Sequence, residues 1–149
     1  MKKIYFLSLV LVIGVLFGAL IITGTSILAY VDIASLIFVL VPAFLLLLAS
    51  YGPKEMGRAF KSAFSGKTGA EVEKSIAFFT AMQRLFLLSG VLGTLIGVIA
   101  ILSNLTDMSL VGRGFSVAIL TIIYAIALTI LVPVPFLLAL KKRRAELSP

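Results

Sequence analysis

Four long apolar segments dominate the pattern of hydrophobic and polar positions along this chain. They cover residues 4–23, 33–50, 85–102 and 115–140. A helix needs about 20 residues to cross the hydrocarbon layer of a bilayer, so each segment is predicted to be a transmembrane α-helix. The pattern therefore predicts an all-α integral membrane protein, with four transmembrane helices in a single membrane domain over residues 1–149.

The polar connection 51–84 is predicted to contain a short amphipathic helix and a second helical stretch. Apolar residues recur at helical spacing over residues 53–64 while charged residues face elsewhere, which indicates an amphipathic helix. The run Ser-Gly-Lys-Thr-Gly at 65–69 interrupts it, and a helical pattern resumes over 71–83 and leads into the third apolar segment. A phosphate-binding loop would need a glycine where Lys61 stands, so 65–69 is interpreted as a turn.

Basic residues are concentrated on one side of the predicted membrane. The chain has 13 lysine and arginine residues and a net charge of +7, and all of them except Arg113 lie near the termini or in the connection 51–84. By the positive-inside rule, both termini and this connection are predicted to be cytoplasmic. Because the charges lie at span ends rather than on one polar face, nucleic acid is excluded as a partner and membrane lipid is favoured.

Composition limits the chemistry that the chain can perform. It is 61% hydrophobic with a mean hydropathy of +1.22, and it has no cysteine and no histidine, which excludes disulfides, Cys/His zinc clusters and thiol or imidazole catalysis. Asp32 and Asp107 are isolated acids in short outward loops rather than an acid–base pair. No enzyme activity, metal or cofactor is therefore expected. Asp32 has two interpretations, an N-cap of the second span, which is favoured, or a residue at an ion entrance.

The third and fourth segments carry small and hydroxylated residues at helical spacing. Two interpretations are open, because such stripes allow two helices to pack closely or to face a shared lumen. A threonine in a membrane helix commonly bonds to its own backbone four residues earlier, which favours packing. The residues are Gly90, Gly93, Thr94 and Gly97 on the third segment and Ala118, Thr121, Ala125 and Thr129 on the fourth.

The central parts of all four segments contain no acidic or basic residue. Charged residues within membranes are costly and occur mainly at transport or relay sites. If this chain takes part in ion movement, a partner is expected to supply the carboxylate. Pro42 in the second segment, and Pro133 and Pro135 in the fourth, each remove a backbone hydrogen bond and are predicted to bend their helices.

Several separated stretches together resemble one family of membrane proteins. The run SGVLGTLIG at 89–97 is similar to a third-helix signature in which glycines surround a pore-facing threonine. The run AILTIIY at 118–124, followed by Pro133 and Pro135, is similar to the fourth helix of the same proteins. The stretches 30–35 and 50–54 are similar to their second helix and its cytoplasmic exit. The family is that of the MotA/TolQ/ExbB ion channels.

The resemblance implies a multi-pass protein of the bacterial cytoplasmic membrane that forms a homopentameric ring around a single-span partner of the MotB, TolR or ExbD type. An aspartate of the partner would carry the ion, expected to be a proton, and Thr94 and Thr121 would line its path. The implied function is a stator-type motor that converts ion-motive force into mechanical work. The alternative is a non-conducting scaffold or assembly protein whose small residues serve helix packing.

Two features depart from the flagellar stator members of this family. Leu87 occupies a position where these proteins usually have a proline, and Pro135 is the best match to their fourth-helix proline. Their large cytoplasmic domain has no counterpart in the connection 51–84 or the tail 141–149. A minimal MotA-like subunit is therefore expected.

Overall fold

The computed structural model describes residues 10–11, 13–14, 18, 21–22, 24, 26–64 and 69–147. This part of the chain is all-α, as the sequence predicts. The second of the four helices is the central one, because each of the others makes its most extensive contact with it. A 3-10 turn at Ile27–Tyr30 precedes the helices α1 (Ile33–Phe64), α2 (Gly69–Leu102), α3 (Met108–Leu131) and α4 (Pro133–Leu147).

Three stretches of the described chain are long and apolar enough to cross a membrane, namely Leu28–Ser62, Gly69–Leu102 and Met108–Glu146. They contain the predicted spans 33–50, 85–102 and 115–140. The predicted span 4–23 lies largely outside the described residues. Large apolar side chains remain exposed on these stretches, which is the surface expected of helices that contact lipid or other subunits.

α1 has a kink at Gly52, which separates the helical parts 33–51 and 53–64. Gly52 has φ 69° and ψ 161°, a conformation that glycine adopts at little cost because it lacks a Cβ atom. Pro53 follows at the start of the next helical part, where its missing N–H is not needed. Pro42 lies inside the first part, and its predicted bend stays a prediction.

An aromatic cluster joins α1, α2 and α4 at the end of the bundle that carries the connection 51–84. Phe79 is fully buried and stacks on Phe136 of α4 with ring centroids 4.8 Å apart. Phe60 of α1 meets these two rings edge to face at 5.1 and 5.3 Å, and Phe78 lies 5.1 Å from Phe79. The apolar face of residues 53–64 therefore packs against two other helices through Phe60.

The predicted span 115–140 is divided between two helices. α3 ends at Leu131, Val132 has φ −110° and ψ −79°, and α4 begins at Pro133. Proline suits the first position of a helix, because its fixed φ is helical and no N–H is required there. The helix boundary therefore falls at the first of the two prolines that were predicted to bend this segment.

Candidate functional site

α2 and α3 pack against each other through the two small-residue stripes seen in the sequence. Gly97 lies against Ala118, and a Cβ atom placed on Gly97 would be 2.8 Å from the Ala118 Cβ. Missing side chains thus allow the two backbones to approach closely. Within this protomer the stripes contact each other. The small-residue interface pairs Gly97 with Ala118, Gly93 with Thr121, and Gly90 with Ala125.

The two threonines predicted to line an ion path have different surroundings. Thr121 is completely buried, and its Oγ1 donates a hydrogen bond to the Val117 carbonyl oxygen of its own helix at 2.6 Å. Thr94 is half-buried at the border of the small-residue interface, and its Oγ1 donates across to the Ala118 carbonyl oxygen at 3.0 Å. Thr121 therefore contributes packing within the protomer, whereas Thr94 keeps part of its surface open.

Thr129 continues the stripe of α3 by one turn and is 5% exposed. Among the buried polar side-chain atoms of the described residues, its Oγ1 is the one without a hydrogen-bond partner. Thr129 and Thr121 lie on the same helical stripe, so their spacing in the sequence does not predict that only one of the two hydroxyls has a partner. The two residues differ in position, since Thr129 lies two residues before the end of α3.

Asp32 caps the start of α1 and is tied to α3. Its Oδ2 accepts hydrogen bonds from the backbone N–H of Ser35 at 2.9 Å and from the Ser35 hydroxyl. The Tyr124 hydroxyl accepts a hydrogen bond from the Asp32 N–H at 2.9 Å and donates one to the Tyr30 carbonyl oxygen. We call these four residues the outer latch. They fit the N-cap interpretation of Asp32, and its role at an ion entrance stays a prediction.

The outer latch could not be predicted from spacing, because Tyr124 lies 92 positions from Asp32. Ser35 is fully buried, and its one hydroxyl hydrogen is shared between Asp32 and the Val117 carbonyl oxygen, which lies 3.3 Å from the Ser35 Oγ. Ser35 therefore joins α1 to α3 as well. One signal was present in the sequence. A tyrosine in the middle of an apolar helix needs a hydrogen-bond partner for its hydroxyl.

Replacing Tyr124 with phenylalanine is expected to lower the free energy of unfolding by about 1–3 kcal/mol, because the Asp32 N–H and the Tyr30 carbonyl lose their partner. Thermal unfolding in detergent measures the loss. Tyr51→Phe is the matched control, since the Tyr51 ring packs on Phe78 and its hydroxyl makes no hydrogen bond to the described residues. Equal losses in the two variants would contradict the outer latch.

Asp107 caps α3 in the other short loop. Its Oδ1 accepts hydrogen bonds from the Ser109 hydroxyl at 2.7 Å and from the Ser109 N–H at 2.9 Å. These bonds, the hydroxyl's above all, favour the ionised carboxylate and lower the pKa of Asp107 below its ordinary value. In the described part of the chain, no group of three or more His, Cys, Asp or Glu residues could hold a metal ion.

A cleft of about 380 Å³ lies between the end of α1 and the start of α2. Its charged lining residues are two acidic and two basic side chains, so it has no net charge with which to select an ion. Arg58 pairs with Glu55 on the surface, and such exposed pairs contribute only about 0–1 kcal/mol. The charged residues are Glu55, Arg58, Glu71 and Lys74.

The sequence of residues 43–148 matches the MotA/TolQ/ExbB proton channel family. The chain belongs to this family. Motility protein A of Aquifex aeolicus (strain VF5) is a relative with 35% identity over 74 residues, a region that covers 50% of this chain and 29% of that protein. The resemblance predicted from the sequence is therefore confirmed, and the matched region spans less than a third of the relative.

Within this MotA/TolQ/ExbB family protein, the matched region contains both the small-residue interface and the aromatic cluster. It begins at Ala43 and therefore contains α2, α3 and the kink at Gly52. The Asp32 side of the outer latch lies before the matched region, while Tyr124 lies within it. The latch thus joins a segment outside the family match to one inside it.

Proposed function

We propose that this protein forms an ion-conducting ring in the bacterial cytoplasmic membrane and, with a single-span partner, converts proton flow into mechanical work. Membership of a proton channel family is the observation that carries this proposal. The ring is proposed to contain five copies of the chain, and the partner to be of the MotB, TolR or ExbD type. The exposed apolar faces of α1, α2 and α3 offer the surface that such an assembly needs.

The distribution of charge supports a division of roles between this chain and a partner. Residues 33–53, 85–102 and 114–140 contain no acidic or basic side chain. A proton that crosses the membrane needs a titrating group there, and such groups persist only where they serve transport. The partner supplies that carboxylate and this chain surrounds it. Each elementary charge that crosses yields about 2.3 kcal/mol per 100 mV, which limits the work of one step.

Thr94 is proposed to meet the partner's carboxylate. The residue is half-buried, and its helix neighbours Val91 and Leu95 are exposed. The Thr94 hydroxyl donates its one hydrogen to the Ala118 carbonyl oxygen, so it can accept a hydrogen bond from the protonated acid as it stands. To donate to the ionised carboxylate, it turns away from Ala118. Thr121 acts with it by packing on Gly93, which keeps the Ala118 carbonyl within reach of Thr94.

Replacing Thr94 with valine is expected to reduce proton flux about 10- to 150-fold, because a hydrogen bond to a charged group contributes about 1.5–3 kcal/mol and each 1.4 kcal/mol is a factor of ten. Flux is measured in proteoliposomes that contain the ring with its co-purified partner. Thr94→Ser keeps the hydroxyl and is the matched control, which we expect to conduct at close to the wild-type rate. Wild-type flux in Thr94→Val, with normal assembly, would rule out this role of the hydroxyl.

A second candidate function is a non-conducting scaffold. It is favoured by the small-residue interface, which uses both glycine and alanine stripes for packing within one protomer, and by the Thr121 hydroxyl, which bonds to its own helix. A scaffold would show no proton flux with any single-span partner. Purification from native membranes separates the candidates, because a single chain type without a single-span partner would favour the scaffold.

A further inference from the structure

Thr129 differs from the other hydroxylated residues in the helices. Other serine and threonine hydroxyls, such as those of Thr80 and Thr121, donate to the carbonyl oxygen four residues earlier, which is the ordinary arrangement in apolar helices. The Thr129 hydroxyl makes no such bond, although only 5% of the residue is exposed. No described group forms a hydrogen bond with its Oγ1. A buried hydroxyl without a partner is costly, so a ligand is expected.

The backbone next to Thr129 also lacks two of the usual helical donors. Pro133 and Pro135 have no N–H, so the carbonyl oxygens of Thr129 and Leu131 cannot receive the helical hydrogen bonds from four residues later. The Val132 N–H cannot serve them, because it donates to the Leu128 carbonyl oxygen at 2.9 Å. In a membrane, carbonyls freed by proline are satisfied by neighbouring hydroxyls or by ordered water.

The register of the small-residue interface, continued by one turn, places Thr129 opposite Phe86 of α2. Phe86 is itself buried and has no hydrogen-bonding atom. The Thr129 hydroxyl is therefore at the level of an apolar residue of α2, and a small polar ligand can satisfy it together with the carbonyls that the prolines leave without a helical donor.

We propose that the break between α3 and α4 binds an ordered water molecule through the Thr129 hydroxyl. The water accepts a hydrogen bond from Oγ1 and donates to the carbonyl oxygens of Thr129 and Leu131. These three bonds are the number that a buried water typically makes. This site does not depend on the proposed function. If the ring conducts protons, the water provides a polar position near the cytoplasmic end of the apolar spans.

Radiolytic hydroxyl-radical labelling of the purified protein in lipid nanodiscs tests the site, because bound water oxidises the side chains beside it. Pro133 is less than 2% exposed, so its oxidation reports internal rather than bulk water. We expect Pro133 to be labelled in the wild type and in Thr129→Ser, and to lose that labelling in the isosteric Thr129→Val. Thr129→Ala, which adds no bulk, is the second variant.

Thr80→Val is the matched control, since it removes a hydroxyl that bonds to the Ile76 carbonyl of its own helix at 2.7 Å. Labelling of Pro133 should be unchanged in it. An unlabelled Pro133 in the wild type, or equal labelling in wild type and Thr129→Val, would overturn the proposal. Proton flux measured on the same samples keeps the two proposals distinct, because a failure to conduct removes the proposed function while the labelling still decides the water site.

Discussion

Replacing Gly97 with alanine is expected to destabilise the protein by roughly 3 kcal/mol, at the upper end of what an overpacked contact costs. The new Cβ would lie 2.8 Å from the Ala118 Cβ and 2.9 Å from the Ala118 Cα and backbone nitrogen. Because backbone atoms cannot rotate away, α2 and α3 must move apart along the small-residue interface. The unfolding midpoint and the monodisperse fraction in detergent measure the effect.

Gly112→Ala provides the control for this substitution. Gly112 is also helical, and an added Cβ there would meet nothing within 4 Å. Alanine is favoured over glycine in a helix by about 1 kcal/mol, so Gly112→Ala should be neutral or slightly stabilising. Equal stability of the two variants would show that α2 and α3 do not approach as closely as the small-residue interface requires.

Replacing Phe79 with alanine is expected to cost about 3–5 kcal/mol, the range for a large aromatic side chain removed from a core. Phe79 is fully buried and contacts the rings of Phe60, Phe78 and Phe136. Its loss would leave a cavity where α1, α2 and α4 meet. The thermal unfolding midpoint of the protein measures this cost. Protease sensitivity of the Gly52–Gly69 region reports whether the end of the bundle with the aromatic cluster loosens.

Phe115→Ala separates this effect from a general loss of aromatic surface. Phe115 lies on α3 with 57% of its surface exposed, so its truncation creates no internal cavity and should change stability by well under 1 kcal/mol. We expect only the Phe79 variant to unfold at a much lower temperature. A similar midpoint for both variants would mean that the aromatic cluster contributes little to holding the three helices together.

The helices themselves follow from local features of the sequence. The length of an apolar segment and the helical spacing within it are properties of consecutive residues. They therefore predict the three long apolar helical stretches of the described chain. The pattern at 71–83 indicates the helical lead into the span 85–102, and α2 runs from Gly69 to Leu102 without interruption. The break at Pro133 is similarly local, since proline excludes the N–H that a continuing helix needs.

The contacts between helices depend on residues far apart in the chain, and the sequence alone left them open. The spacing of Gly90, Gly93 and Gly97 indicates a stripe of small residues on α2. The residues that this stripe contacts are set by the antiparallel register of α2 with α3. The kink at Gly52 was not predicted, because a glycine before a proline is compatible with several backbone conformations. Thr94 and Thr121 look alike in the sequence, and only packing shows that one is buried and the other partly open.

The continuity of α2 has a mechanical consequence. Its 34 residues form a rod of about 50 Å at 1.5 Å per residue, with Phe78 and Phe79 near one end and Thr94 towards the other. α1 and the α3–α4 pair each have a joint, at Gly52 and Val132, whereas no described residue of α2 departs from helical geometry. A tilt of α2 around Thr94 must therefore displace its far end, so a load applied near Phe78 and Phe79 would resist movement of the helix at Thr94.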